Sequence, residues 1–556
     1  MNYDLNVELL PAGTALVPWG STVQPEVIYP NPHYAEREIF CGPFLPEGEY
    51  GTRRYVRTSG LHFNVQEVLS KLGRNETIDI FVADLQEQGT CFVTGLEQLS
   101  CLKIAKILDT HHGYHPIGSL IDYLEKEPID HVLCLAQHAH IHFFLEAGCR
   151  HIASVPRSGP PPNIKPTGAK KEFPVTYVGR KWSHAHPYRN WMVQYLEKTL
   201  PQLGIPFCIH TYCSHQEWLN VVSRSLITVC SSLNGQFTPQ VFNIMHAGSL
   251  CLTDELSPQT GLYEFFEPGR HFVTWRDYND LVEKIRYYVE HPAEAKKIAL
   301  AGQRRAEECF PANRLEGRAI FDFAVSDKLP PEFRPEIDRR CGVIRSKNKS
   351  EFQRRVCMYE NMQELHRVHK RLRVIGWQLN DNAPVADLVD LPRLEISCMF
   401  SSPESRNEWR DVFEQAGVLK QVELLTVDDN VKPASFDIGI VDAATLSGGN
   451  VARFVNCLKP RALLWVLGDI NDDGHKKLKQ GGFRQFDFNS VEMRLQRTII
   501  PRFRYYLPQL VFPAPLLPAT ELITGLQAYQ RGGIGCNPVK FDSWQTYFTK
   551  CGGSKS

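Results

Sequence analysis

The stretch "SSLNGQFTPQVFNIMHAGSLCLTDEL", residues 231–256, orders its residue types as a ligand site would. A polar, glycine-containing loop runs into a short helix, the helix stops at a glycine, and a buried strand leaves on Thr-Asp-Glu. Thr238 suits the N-cap, Pro239 the first helical position and Gly248 the left-handed residue that ends a helix. Val241, Ile244 and Met245 lie toward one side of that helix, which leaves Gln240, Asn243 and Ala247 on another. The apolar side packs on a sheet. The polar side starts just beyond the carboxyl end of the strand "SLITVCSS", where open parallel sheets bind ligands and free backbone N–H groups favour a phosphate. Asn234 in the loop and Thr253 and Asp254 at the strand end complete this candidate set. Any βαβ connection has such a loop and helix start, so a phosphate site and a plain connection both stay open here.

Two other groups of residues could do chemistry. "YVGRKWSHAHPYR" follows a strand and, after Gly179, holds Arg180, Lys181, His184, His186 and Arg189. An arginine fork matches phosphate oxygens two at a time, and a solvated basic turn is the competing reading. The histidines His111, His112, His115, His138, His140 and His142 form the other group. His-x-His-x-His on a strand would align three metal ligands. "HAHIHFFLEAG" instead reads as a helix, where only His138 and His142 share a face, and no acidic ligand has motif spacing. No metal is therefore expected. Asp109 and His111, just past the strand "CLKIAKIL", are candidates for acceptor or sugar contacts and for proton transfer.

The elements that position these residues belong to a chain of 556 residues, too long for one core, and about 150 residues per domain suggests three or four domains. Lys plus Arg and Asp plus Glu both number 62, so no net field favours nucleic acid or an anionic membrane. "MNYDLNVELLPAG" lacks a positive region followed by an apolar core, and no run of about 18 apolar residues occurs. The sixteen cysteines include no Cys-x-x-Cys pair and several sit in apolar strands, which fits reduced, buried thiols in a cytoplasmic protein.

Residues 1–50, rich in Pro, Gly and Tyr, read as an N-terminal arm. From 51 to 165, and again from 166 to 330, strand-like and helical runs alternate, which implies two Rossmann-like parallel-sheet domains facing a cleft. "RSGPPPNIKPTGAKK" separates them, because its prolines and glycines continue neither a helix nor a central strand. Residues 331–385 read as a helical connector and 386–500 as a third α/β domain, with strands "RLEISCMF", "VELLTV", "DIGIVDA" and "ALLWVLG". Residues 501–556 read as irregular.

With these residues in view, "QVFNIMHAGSLCLTD" resembles the nucleotide-recognition segment of CgeB-type glycosyltransferases, an Arg-x-Phe-Glu helix, a small-residue turn and a Leu-Thr-Asp strand end. The resemblance continues through "YEFFEPGRHFVTWRDYNDLVEKIRYYVEHPAEAKKIALAGQRR", and "ILDTHHGYH" and "IDHVLCLAQ" look like the family's amino-terminal domain. It covers about residues 55–325 and implies the two-domain GT-B architecture, a nucleotide-sugar donor in the second domain, an acceptor (protein, glycan or small molecule) on the first, and no metal. In such enzymes basic groups after the glycine, here Arg180 and Arg189, stabilise the departing nucleoside diphosphate. This chain departs from the family with Asn243 in place of Glu and Gln240 in place of Arg. The family's Glu accepts hydrogen bonds from the donor ribose, and Asn keeps one acceptor oxygen without the charge. A non-catalytic binding protein therefore stays open beside the enzyme.

Separately, "FDIGIVDAATLSGGNVARFVNCLKPRALLWVLGDINDDGHKKLKQGGFRQFDF" is similar to the later half of class I methyltransferases. The methyl-donor loop of that family is a glycine-rich turn after the first strand. "LEISCMFSSPESRNEW" has no glycine and "LKPRA" replaces "LKPGG", so S-adenosylmethionine is not expected to bind. A bifunctional glycosyl and methyl transferase is the third alternative.

Overall fold

The computed structural model describes residues 10–486 and 526–531, except for 22–23, 26–33, 74–75, 87–89, 111–115, 135–139, 150, 155–169, 180–186, 212–214, 233–234, 236, 258–259, 310–337, 369–370, 378, 380–382, 392, 448–450, 468–469, 471 and 481–482. The chain divides into two compact units, and their described residues meet at Asp338/Arg339 in the sequence.

The first unit holds two separate parallel sheets. The amino-terminal one is built from β1 (Leu10–Pro18), β2 (Ala35–Gly42), β3 (Gly48–Tyr50), β4 (Arg53–Arg57), β6 (Ile80–Gln86), β8 (Leu102–Asp109), β9 (His131–Cys134) and β10 (Ile152–Ser154). Their order is β10-β9-β8-β6-β1-β2-β4-β3, while β5 (His62–Asn64) and β7 (Phe92–Thr94) pair apart from it. Only β3, the hairpin partner of β4, runs antiparallel. The sequence reading of an arm over residues 1–50 is overturned, since β1 lies inside the sheet and pairs with β2 and β6. Pro11, Gly13 and Pro18 break the apolar pattern, and a register shift between Leu10 and Thr14 absorbs the irregular start, but Ala15, Leu16 and Val17 are buried like any central strand. The helix of that segment spans Ile141–Glu146, so it begins after the first two histidines of the motif, and His140 at its N-cap and His142 within it are both buried. His138 lies outside the described residues.

The second sheet of this unit contains β11 (Phe173–Val178), β12 (Phe207–His210), β13 (Ser225–Val229), β14 (Leu250–Asp254) and β15 (Val273–Trp275), in the order β12-β11-β13-β14-β15 and wholly parallel. The β-branched runs "VTYV" and "SLITV" have the near-continuous apolar character of strands covered on both faces. One face packs Val175, Ile227 and Leu252 against Met192 and Leu196 of the helix Pro187–Thr199 and Leu281 and Ile285 of the helix Tyr278–Glu290. The other packs Val178 and Cys251 against Val241, Ile244 and Met245 of the helix Pro239–His246 and Ala306 of the helix Pro292–Glu308. Asp277 caps its helix as its type suggested, accepting from the N–H groups of Asn279 and Asp280 at 2.9 and 3.0 Å. "RSGPPPNIKPTGAKK" falls between β10 and β11, and no strand pairing joins the two sheets among the described residues.

The second unit carries β16 (Leu372–Trp377), β17 (Leu394–Phe400), β18 (Val422–Thr426), β19 (Phe436–Asp442), β20 (Leu458–Leu467), β21 (Phe483–Phe486) and β22 (Leu526–Arg531), in the order β18-β17-β16-β19-β20-β22-β21. Strand β22 is antiparallel to both neighbours. The sheet thus begins one strand earlier than the sequence suggested, because β16 lies within the stretch read as a helical connector. Its apolar residues follow the basic "HKRLR" at the end of the helix Lys349–Val368, and Arg373 within the strand masked the pattern by pairing outward with Glu395 at 3.0 Å. The segment read as irregular likewise contributes β22. The long helix is held to the first crossover by buried ion pairs, Arg355 to Asp387 at 2.6 Å, with Arg340 of the preceding helix to Asp390 at 3.0 Å. Among the described residues no helix is long and apolar enough to cross a membrane.

In the second sheet, the helix Pro292–Glu308 meets the backbone before β15 closely at Gly302. A Cβ there would lie 2.2 Å from the carbonyl oxygen of His271 and 3.3 Å from the sulfur of Met245. Gly302→Ala gains up to about 1 kcal/mol of helix propensity, and overpacking against backbone costs about 1–3 kcal/mol. Net destabilisation in urea unfolding is expected, whereas Gly73→Ala, which meets nothing within 4 Å, should change stability by less than about 0.5 kcal/mol.

Candidate functional site

The order β12-β11-β13-β14-β15 reverses its direction between β11 and β13, and α/β sheets of this order bind ligands outside the carboxyl ends of the strands at that reversal. Three chain segments leave the sheet there, after Val178, after Val229 and after Asp254.

The first segment begins at Gly179. Its N–H donates to the carbonyl of His210 at 3.0 Å, and a Cβ at this position would stand 2.9 Å from the Tyr177 hydroxyl. Glycine lets the chain turn off the strand edge at close quarters. Arg180, Lys181, His184 and His186 lie outside the described residues. Arg189, in the first turn of the helix Pro187–Thr199, has a buried Nε with no hydrogen-bond partner among the described residues. Burial raises the Tyr177 phenol, and the Arg189 charge acts against that rise.

The second segment starts at Cys230, whose thiol is pushed up to about 12, by burial first and then by the charge of Asp254. The polar side chains of Thr238 and Thr253 and the charge of Arg189 oppose the shift. One buried thiol thus feels residues from three other elements: β14, the start of the Pro239 helix and the helix Pro187–Thr199. Thr238 occupies the N-cap position with extended backbone (φ −92°, ψ 149°), yet its side chain does not cap the helix. The backbone of Thr238 holds the helix start instead, its carbonyl accepting the Val241 N–H at 3.2 Å.

The third segment explains two residues that sequence had assigned to the donor. Asp254 is 2 % exposed and both its oxygens turn inward: Oδ1 accepts the Ser232 N–H at 2.6 Å and Oδ2 the Ser232 hydroxyl at 2.5 Å. Ser232 Oγ in turn accepts the Gly235 N–H at 3.2 Å. Thr253 is fully buried, its hydroxyl 3.4 Å from Asp254. These bonds shape the loop, because a strand-end carboxylate beside a Ser-Ser turn finds donors locally. Gln240 also faces inward, its Nε2 donating to the Val178 carbonyl at 2.8 Å. That bond ties the helix to the strand end just before Gly179.

Asn243 differs from these. It is half-buried, and its Oδ1 is buried without a hydrogen-bond partner among the described residues. An acceptor left empty in this way costs about 1–3 kcal/mol unless something fills it. Asn234 and His111 lie outside the described residues, and Asp109 ends β8 with its side chain outside the description. Sequence reasoning missed Ser232 and Cys230; the signal for Ser232 was a hydroxyl pair placed directly after a buried strand and opposite an acidic strand end.

Residues 164–316 match the family model described as glycosyl transferase-like, which spans this sheet and its site. Over 60 residues the chain is 42% identical to protein O-glucosyltransferase 2 of Danio rerio, a match that covers 11% of this chain and 11% of that protein. Among solved structures, Anabaena HepE in complex with UDP and glucose aligns at 11% identity and a TM-score of 0.41, over 56% of this chain and 99% of its own. Sucrose-phosphate synthase from Thermosynechococcus elongatus aligns at 11% identity and a TM-score of 0.40, over 57% of this chain and all of its own. At these values neither structure supplies a residue-level correspondence.

If Asp254 shapes the loop, Asp254→Asn should act through Ser232. The amide places an N–H₂ against one of the two donors and removes the charge from the other bond, a loss of about 1.5–3 kcal/mol for charge-assisted hydrogen bonds. The expected result is a lowered urea midpoint with faster amide exchange at Ser232 and Gly235. A Ser232→Ala variant should lose less, because the Ser232 N–H still meets the carboxylate.

Proposed function

We propose that the protein is a glycosyltransferase of GT-B architecture and CgeB-like type that moves a sugar from a nucleotide-sugar donor to an acceptor. The observation that carries this is the set of unspent polar groups at the β11/β13 reversal, within the segment that matches a glycosyl transferase-like family. The donor diphosphate lies at Arg189 and the start of the Pro239 helix, and Arg180, which follows Gly179 in the sequence, is assigned to the same diphosphate. Asn243 Oδ1 accepts a ribose hydroxyl. As the bond from the anomeric carbon to the diphosphate lengthens, negative charge grows on the leaving oxygen. Preformed positive charge stabilises that state more than the ground state. Gln240, Ser232, Thr253 and Asp254 hold the loop and strand ends around it. The amino-terminal sheet presents the acceptor, and the described cysteines, mostly buried thiols, fit a reducing cytoplasm.

The third sheet extends this reading as a methyltransferase-like scaffold without its cofactor. Its order, 3-2-1-4-5 before the antiparallel strand, puts a winding reversal between β16 and β19. At that place the chain is filled with side chains. Trp377 is buried against Phe454 (ring centroids 5.0 Å apart), Leu379 and Val385 are buried, and a Cβ on Gly376 would lie 2.8 Å from Val385. "QLNDN", which follows β16, has no glycine. These features support the reading that S-adenosylmethionine is not bound, and no methyl transfer is assigned. The rival reading, a non-catalytic nucleotide-binding protein, rests on the neutral Gln240 and Asn243 where the resembled family carries charge.

Two measurements check the proposal. Among UDP, GDP and ADP, the matching nucleotide at a hundred times its dissociation constant should stabilise the protein by about 2.7 kcal/mol. Asn243→Ala should weaken it about two- to twelve-fold, the worth of one neutral hydrogen bond at 0.5–1.5 kcal/mol. Stabilisation by the nucleotide without release of it from the matching nucleotide-sugar would favour the non-catalytic reading. Calorimetry with S-adenosylmethionine should show no binding heat, and micromolar binding would overturn the assignment of the third sheet.

A further inference from the structure

The amino-terminal sheet has a winding reversal of its own. From β1 the chain moves outward to β2 and β4, then returns to the other side of β1 and continues through β6, β8, β9 and β10. The reversal therefore lies between β1 and β6. Leu16 pairs with Phe81, so Pro18, the last residue of β1, stands at the level of Ala83. Asp84 is the first residue of β6 beyond the carboxyl end of β1, at the place where sheets of this kind bind ligands.

Asp84 interrupts an apolar run, "IFVADL", and its partner interrupts another, "KIAKIL". Asp84 and Lys106 are register partners on β6 and β8, and Lys106 Nζ lies 2.6 Å from Asp84 Oδ1. Lys106 is 1 % exposed. Its ammonium also donates to the Tyr34 hydroxyl at 2.5 Å and sits over the Tyr34 ring, 4.8 Å from the centroid. By strand alternation, Ile80 and Val82 share the face of Asp84, and both belong to the buried core with Ile104 and Tyr34. An ion pair buried at the end of such a core contributes little to stability compared with apolar residues of similar volume. Its geometry is also lopsided. Lys106 is enclosed, whereas Asp84 keeps 21 % of its side-chain exposure although Oδ1 is buried, where it meets Lys106 as an ion pair without hydrogen-bond geometry. No described residue is bonded to Oδ2.

We propose that Asp84 binds a hydroxyl group of the sugar acceptor through Oδ2, with Lys106 and Tyr34 as positioning residues that hold the carboxylate by its buried oxygen. The inference rests on the glycosyltransferase reading and names the residue that engages the second substrate. The ligand chemistry follows from the pair. With its charge answered by Lys106 at 2.6 Å, the carboxylate is a strong acceptor for neutral O–H donors and a poor site for a free cation. A polyol or sugar hydroxyl fits this chemistry. The proton stays on the acceptor oxygen in the bound complex, and no covalent step is assigned to Asp84.

The test measures nucleotide release from UDP-glucose, GDP-mannose and ADP-glucose with a panel of methyl glycosides as acceptors. Wild type is compared with Asp84→Asn, Asp84→Ala and Tyr34→Phe. Asp84→Ala should raise the acceptor KM about two- to twelve-fold, as loss of one hydrogen bond does, and Asp84→Asn should fall between it and wild type. Tyr34→Phe, which frees one side of Lys106, should raise acceptor KM while leaving donor KM alone. Nucleotide affinity, read by thermal shift on the same samples, should be equal in all four proteins, which also shows that each is folded. Equal acceptor KM values across the series would overturn the proposal, as would a matching fall in nucleotide affinity. Wild type that binds nucleotide but releases none in response to any glycoside would overturn the sugar-hydroxyl assignment. Failure of wild type to bind any nucleotide would instead remove the glycosyltransferase reading on which the inference stands.

Discussion

A parallel sheet can be wound outward from a starting strand in only two directions, and each crossover must be right-handed, so a change of direction sends consecutive connections to opposite faces. That constraint shapes both sheets of the first unit. Where the direction changes, the loops after two adjacent strands part, and the carboxyl edge is left open between them. In the second sheet the opening lies between β11 and β13, and in the amino-terminal sheet between β1 and β6. The polar residues of interest gather at these two places while the apolar residues close both faces behind them.

An open edge needs internal support, and much of the polar chemistry near the second reversal supplies it. Asp254 holds Ser232, Ser232 holds Gly235, and Gln240 holds the Val178 carbonyl. Each of these bonds is made with groups that would otherwise be buried and unpaired, at a cost of about 1–3 kcal/mol apiece. Among the described residues, the Nε of Arg189, the Oδ1 of Asn243 and the hydroxyl of Thr238 are left unspent. A bound nucleotide offers the complementary pair, phosphate oxygens and ribose hydroxyls. On this account the supporting residues determine shape and the unspent ones determine what binds.

Much of this was legible in the sequence wherever an element carried its own punctuation. The strands "FPVTYV", "SLITV" and "LCLTD" were bounded by glycine, serine or acidic residues, and Asp277, Pro239 and Gly248 marked helix ends by mechanisms that act locally. The two central strands β1 and β16 were not legible. One is cut by Pro11 and Gly13, and the other carries Arg373, so their centrality depends on partners distant in the chain. The site divided along the same line. Gly179, Arg189 and Asn243 were recognisable as residue types at a strand end or on a helix face. That Thr253, Asp254 and Gln240 turn inward depended on tertiary donors and acceptors that composition does not disclose. Asp84 was hidden for the same reason: only the register of β6 against β8 brings it to Lys106.

The central claim is that a nucleotide occupies the carboxyl edge at the β11/β13 reversal. Hydrogen–deuterium exchange of the full chain, with and without a saturating nucleoside diphosphate, tests it most directly. The account predicts slowed exchange at Gly179, in the loop from Ser231 to Thr238 and in the first turn of the Pro239 helix, with β16 to β22 unchanged. Saturable binding accompanied by protection confined to β16–β22, or to the amino-terminal sheet, would contradict it.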